Sequence, residues 1–133
     1  MINIFTYGSL MYPEIFSAVV GETLASTPAL LRGWRRQAIR HETYPAATPS
    51  ASAQIKGVVW FNVSSQAVAR LDLFETKTYI REQVQVETSH GQLCQAEIYL
   101  WLDLTQLIDE DWSATEFETQ YLKNFFQMHG KIL

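Results

Sequence analysis

The sequence has a single cysteine, Cys94, in 133 residues, so no internal disulfide can form. It lacks the run of about 18 apolar residues that a membrane-spanning helix needs. Basic residues are few: Lys plus Arg number 10 against 14 Asp plus Glu, a net charge of −4. That balance argues against nucleic acid as a partner, because phosphate contacts require a basic face. Arg32, Arg35, Arg36 and Arg40 are the one local exception and read as the solvated face of a strand. His41, His90 and His129 are far apart, without an i,i+4 partner or a nearby cysteine, so no zinc-type spacing exists. No phosphate loop, dinucleotide fingerprint or Gly-x-Ser-x-Gly elbow occurs. No basic segment leads into an apolar run and a small-residue cleavage site at the N-terminus, so the expectation is a cytoplasmic protein without a signal peptide.

What is present is ordinary globular composition, 47% hydrophobic and 18% charged, enough for one domain over residues 1–133 with a real core. Residues 2–7 read as a first strand. Pro13 suits the first turn of a helix over 13–20, which Gly21 closes. Residues 29–40 read as a strand with Leu31, Gly33 and Arg35 on one side. Two prolines make 41–50 a loop. Residues 55–63 alternate strongly, with Ile55, Gly57, Val59, Phe61 and Val63 on one face. Ser64 or Ser65 caps a helix to about Phe74 that buries Val68 and Leu71.

Residues 80–87 and 93–102 form two more strands around a turn at 89–92. Cys94 shares a face with Ala96, Ile98 and Leu100 and reads as a buried structural thiol. Ser113-Ala114-Thr115-Glu116 fits a capping box. The helix it opens has an apolar stripe of Phe117, Tyr121, Leu122, Phe125 and Met128 and closes at Gly130. The acidic run Asp109-Glu110-Asp111 favours that helix's N-terminus. The order implies an α+β fold: a small mixed, mostly antiparallel β-barrel with flanking helices.

Two stretches carry chemistry. Tyr7-Gly8-Ser9-Leu10 joins the first strand to a helix start, leaving unpaired N–H groups aimed at one spot, which suits an anion or a polarised carbonyl. Ser9 as a nucleophile lacks a histidine partner. Glu75 ends an apolar-striped helix, where the negative end of the dipole disfavours its charge and suits a general base. The competing reading is a solvated surface carboxylate. Tyr79 and Arg81 either face the same space or form the outer face of an amphipathic strand.

Together these residues resemble the gamma-glutamylcyclotransferase-like, or AIG2-like, family. The resemblance rests on Tyr7-Gly8-Ser9-Leu10, Leu71-Asp72-x-x-Glu75 and Tyr79-x-Arg81. Leu31-x-Gly33-Trp34-Arg35, Tyr44-Pro45-Ala46 and Lys56-Gly57-Val58 fall in register between them. In type it is nearest the gamma-glutamylamine cyclotransferases. The resemblance implies a cofactor-free reaction on a small γ-glutamyl substrate, whose α-amine attacks its own γ-carbonyl to give 5-oxoproline and a free amine. It implies Glu75 as general acid and base, with Tyr7, Gly8, Ser9, Leu10, Tyr79 and Arg81 at the substrate and no metal.

One departure stands out. The family often has glycine after the glutamate, and here Thr76 and Lys77 follow. A β-branched residue resists positive φ, so the loop is expected to run differently, with Lys77 near the cavity mouth. Two further readings stay open: a binding protein that keeps the cavity without turnover, and an interaction protein using the aromatics around Trp101 and Trp112. Leaving amine and oligomeric state are not fixed by the sequence.

Overall fold

The computed structural model describes residues 1–121. Five strands close into a barrel in the order β3-β1-β5-β4-β2, with β2 pairing back onto β3 and β6 added outside β2. The six strands are β1 (Ile2–Thr6), β2 (Ser26–Ile39), β3 (Pro45–Val63), β4 (Tyr79–Thr88), β5 (Leu93–Trp101) and β6 (Leu107–Asp111). β1 runs parallel to β5, and the other pairings are antiparallel. The fold is thus α+β, as the element order implies.

Period-2 alternation explains how the strands bury both faces. Phe5, Leu31, Ile55, Val59 and Ile98 fill the barrel interior. Ile4, Trp60 and Val63 point the other way and meet two helices, α1 (Pro13–Val20) and α2 (Ser65–Glu75). Phe16 of α1 stacks on Trp60 at 4.0 Å between ring centres. Pro13 sits in the first turn of α1, and Gly21 closes it in the left-handed conformation. The Ser64 hydroxyl caps α2 by accepting from the Ala67 N–H. Arg70 of α2 donates to the Val20 carbonyl at 2.7 Å and ties the two helices together.

Several expectations need correction. Residues 45–50 are strand, not loop: they pair with β2 from Ala38↔Pro45 to Trp34↔Pro49. That half of β3 pairs with β2 alone, and an edge tolerates proline's missing N–H. The strand faces also switch parity. Gly33, with φ of 84°, lies at a register shift that turns Trp34, not Arg35, toward the Leu31 cluster. Asn62, with φ of 55°, moves Val63 to the side of Trp60.

The acidic run belongs to β6, where Asp109 and Asp111 pair with Arg35 at 2.9 and 2.6 Å. Arg36 is no solvated charge either. It donates to the Tyr7 and Lys56 carbonyls and lies 4.9 Å over the Trp112 ring. Trp101 and Trp112 are buried, which removes them from any exposed aromatic surface. Cys94 is half-buried. The Ser113 cap forms, and the helix of Ala114–Glu116 continues as a π-helical turn, Phe117–Tyr121. Leu122, Phe125, Met128 and Gly130 lie outside the described residues, as does His129.

Gly57 shows how tightly the barrel is drawn. A Cβ there would lie 2.3 Å from the Thr6 carbonyl oxygen and 2.6 Å from the Phe5 ring. Gly57→Ala is expected to lower stability by about 1–3 kcal/mol through overpacking. Urea denaturation read by tryptophan fluorescence measures it.

Candidate active site

β1 ends at Thr6, and the chain bends through Tyr7 and Gly8 into a 3-10 turn, Ser9–Met11. The bend is pinned from several sides. Trp60 Nε1 donates to the Thr6 hydroxyl at 3.1 Å, and that hydroxyl donates to the Val58 carbonyl at 3.0 Å. Arg36 grips the Tyr7 carbonyl at 3.1 Å. Gly8 is demanded by crowding, since a Cβ would lie 2.7 Å from Pro45 Cδ. The Met11 and Tyr12 N–H groups bond back to the Gly8 and Ser9 carbonyls. Those of Gly8, Ser9 and Leu10 precede the first closed ring and have no acceptor within the turn.

α2 delivers Glu75 to the same place. Thr76 follows with φ of 66° and ψ of −170°. The premise of the expected rerouting fails here: threonine adopts the positive φ itself. Such a conformation costs about 1–3 kcal/mol for a residue with a Cβ. Local bonds offset part of it, with the Thr76 and Thr78 hydroxyls 3.0 Å apart and Thr78 donating to the Glu75 carbonyl at 3.1 Å. Lys77 is exposed and does not line the cavity.

Between these elements lies a cavity of about 230 Å³. Tyr7, Gly8, Ser9 and Leu10 form one part of its wall, and Phe74, Glu75, Thr76 and Tyr79 another. Tyr44, Pro45 and Tyr99 complete the wall, together with Phe5, Thr6 and Thr78. No lysine or arginine lines it among the described residues. Glu75 lines this cavity, and burial raises its carboxyl from 4.5 to about 8. Burial also raises the phenols of Tyr7, Tyr44, Tyr79 and Tyr99, and the Glu75 charge pushes each further the same way. Four protonated tyrosines thus surround one carboxyl group.

Their hydroxyls are directed. Tyr7 donates to the Tyr99 carbonyl at 2.5 Å, Tyr79 to the Pro45 carbonyl at 2.9 Å, and Tyr99 to Asp72 at 2.7 Å. Of the seven site residues read from the sequence, the structure brings six to the cavity: Tyr7, Gly8, Ser9, Leu10, Glu75 and Tyr79. Arg81 is elsewhere. Its guanidinium bonds Asp72 and Glu97 and lines a shallow outer depression. Strand parity places it with Tyr79, but two carboxylates draw its long side chain away. Sequence reasoning missed Tyr99, which has no local signal because only the β4–β5 register brings it beside Arg81. Among the described residues, no group of three or more His, Cys, Asp or Glu side chains could hold a metal ion.

The model of the family described as gamma-glutamyl cyclotransferase, AIG2-like, matches residues 4–114, and the chain belongs to that family. Protein AIG2 C of Arabidopsis thaliana is 27% identical over 134 residues, covering 98% of this chain and 81% of that protein. AIG2-like protein D of the same plant is 29% identical, covering 96% and 86%. An Arabidopsis thaliana protein solved in solution superposes with a TM-score of 0.76 at 25% identity, over 98% of this chain and 81% of its own. A structure named gamma-glutamyl cyclotransferase superposes with a TM-score of 0.69 at 18% identity, over 98% and 86%, and bears on the fold alone.

The raised Glu75 carboxyl makes stability depend on pH. An unfolded chain releases this proton near 4.5, whereas the folded protein holds it to about 8. The native state therefore binds the extra proton in that window, and its contribution is lost as pH rises through it. At about 1.4 kcal/mol per pH unit the loss reaches several kcal/mol. Glu75→Gln should remove it, so the variant gains stability over wild type at roughly pH 9 and not at roughly pH 5, as read by urea denaturation.

Proposed function

We propose that the protein is a γ-glutamyl cyclotransferase that releases 5-oxoproline and a free amine from γ-glutamyl amines or amides. The observation that supports this most is the enclosed Glu75 carboxyl, in one cavity with the 7–10 turn and unopposed by a lining cation among the described residues. The substrate's α-ammonium must lose a proton before its nitrogen can attack. Glu75 takes that proton and returns it to the departing amine. The new bond joins the α-nitrogen to the γ-carbonyl carbon, and the bond from that carbon to the leaving nitrogen breaks. The N–H groups of Gly8, Ser9 and Leu10 receive the substrate carboxylate or the carbonyl oxygen as it gains charge.

Little more machinery is needed. A ring-closing pose supplies up to roughly 7–11 kcal/mol, and one oxyanion donor about 3–4 kcal/mol. Both reacting groups belong to one molecule, so the reaction requires no cofactor. In this reading one domain over 1–133 acts on a small molecule in the cytoplasm.

The test is 5-oxoproline release from a panel of γ-glutamyl compounds. Wild type should give product, and Glu75→Gln should lose about 10²–10⁴ in rate while staying folded. The kcat/KM of wild type should rise with pH and level off past about 8, where Glu75 is ionised. An active Gln variant would remove Glu75 as the base. Tight binding of these compounds without product would make the protein a binding module.

A further inference from the structure

One ion-paired chain of side chains reaches from the molecule's outer face to the cavity wall. Arg81 Nε bonds Asp72 Oδ1 at 3.0 Å, and Arg81 Nη2 lies 3.3 Å from Asp72 Oδ2, a two-point grip on one carboxylate. Arg81 Nη1 bonds Glu97 Oε1 at 2.6 Å. Asp72 Oδ1 also accepts the Tyr99 hydroxyl at 2.7 Å. The Tyr99 backbone carbonyl accepts the Tyr7 hydroxyl in turn. The series joins α2, β4, β5 and the bend after β1, each of which contributes to the cavity wall around Glu75.

The position of Asp72 is what matters. It lies three residues before Glu75, so both belong to the last turn of α2. Phe74 packs this turn against the core from one side, while Leu73 is exposed on the other and Thr76 leaves the helix in a strained conformation. Leu71 is its one fully buried side chain. The exposed side of the turn, which carries Asp72, has no such packing. A bidentate arginine anchored on two strands restrains that side.

We propose that Arg81 and Asp72 are positioning residues: they clamp the last turn of α2 to β4 and β5, and through Tyr99 they set where Glu75 sits in the cavity. Arg81 then meets no substrate. This rests on the cyclotransferase reading for its kinetic arm only, since the placement of Glu75 is measurable without turnover.

The first arm follows the Glu75 carboxyl carbon by NMR titration of glutamate-labelled protein, with Glu75→Gln assigning the resonance. Arg81→Met and Asp72→Ala should move the Glu75 titration down from about 8 toward 4.5, as the loosened turn admits water. Asp72→Asn keeps an acceptor for Tyr99 and should stay nearer to wild type. Arg81→Lys, which reaches one carboxylate at a time, should fall between.

The second arm is kinetic. Arg81→Met and Asp72→Ala should lower kcat by about 10- to 100-fold through misplacement of the base, with KM changed far less. A rise in KM at unchanged kcat would instead make Arg81 a substrate ligand and overturn the proposal. An unchanged Glu75 titration in the folded alanine and methionine variants would also overturn it. If either variant fails to fold, Arg81→Lys carries the comparison, and an unchanged Glu75 titration in it overturns the proposal. Absence of turnover in wild type would count against the cyclotransferase reading and leave the titration arm to decide the clamp.

Discussion

The structure turns on the enclosure of one carboxyl group. Glu75 is surrounded by aromatic rings and backbone, and no lysine or arginine lines its cavity among the described residues. Removing a carboxylate from water without a paired cation is expensive, so the group holds its proton well above the ordinary range. The neighbouring tyrosines adjust to that choice. Their own burial keeps them protonated, and three of them spend their hydroxyl protons on Tyr99, Pro45 and Asp72. On the proposed reading, an incoming ammonium group meets the ionised form of this carboxyl, whose raised proton affinity favours the transfer.

The barrel supplies the enclosure. Its single parallel pairing sets β1 beside β5, so the bend after β1 emerges next to Tyr99. The long β2–β3 hairpin brings Pro45 against Gly8 and Arg36 against the Tyr7 carbonyl. α2, capped by Ser64 and stapled to α1 through Arg70, is aimed so that its last residue faces this bend. Each contact is modest. Together they keep the wall closed around a group that would otherwise move to solvent.

Much of this was legible in the sequence because it is local. Ser64, Gly21 and Ser113 mark helix ends by their own chemistry, and the 55–63 alternation marks a strand. The glycine bend and Glu75 stood out for the same reason. What escaped is long-range or parity-breaking. The bulges at Gly33 and Asn62 invert strand faces. Pro45 and Pro49 are tolerated only because that part of β3 lies at an edge. β6 is a strand because Arg35 neutralises two aspartates that disfavour strands. The Arg81–Asp72–Tyr99 series depends on the β4–β5 register, which no short motif encodes. Thr76 shows the opposite limit: propensity argued against positive φ, and tertiary structure imposed it.

The most direct measurement is a crystal structure of the Glu75→Gln variant with an uncleaved γ-glutamyl amine. The account predicts the ligand's α-nitrogen within hydrogen-bond distance of the residue 75 side chain. It also predicts the ligand's carboxylate or γ-carbonyl oxygen on the N–H groups of residues 8–10. A ligand bound outside this cavity, or with its α-nitrogen turned away from residue 75, would contradict the account.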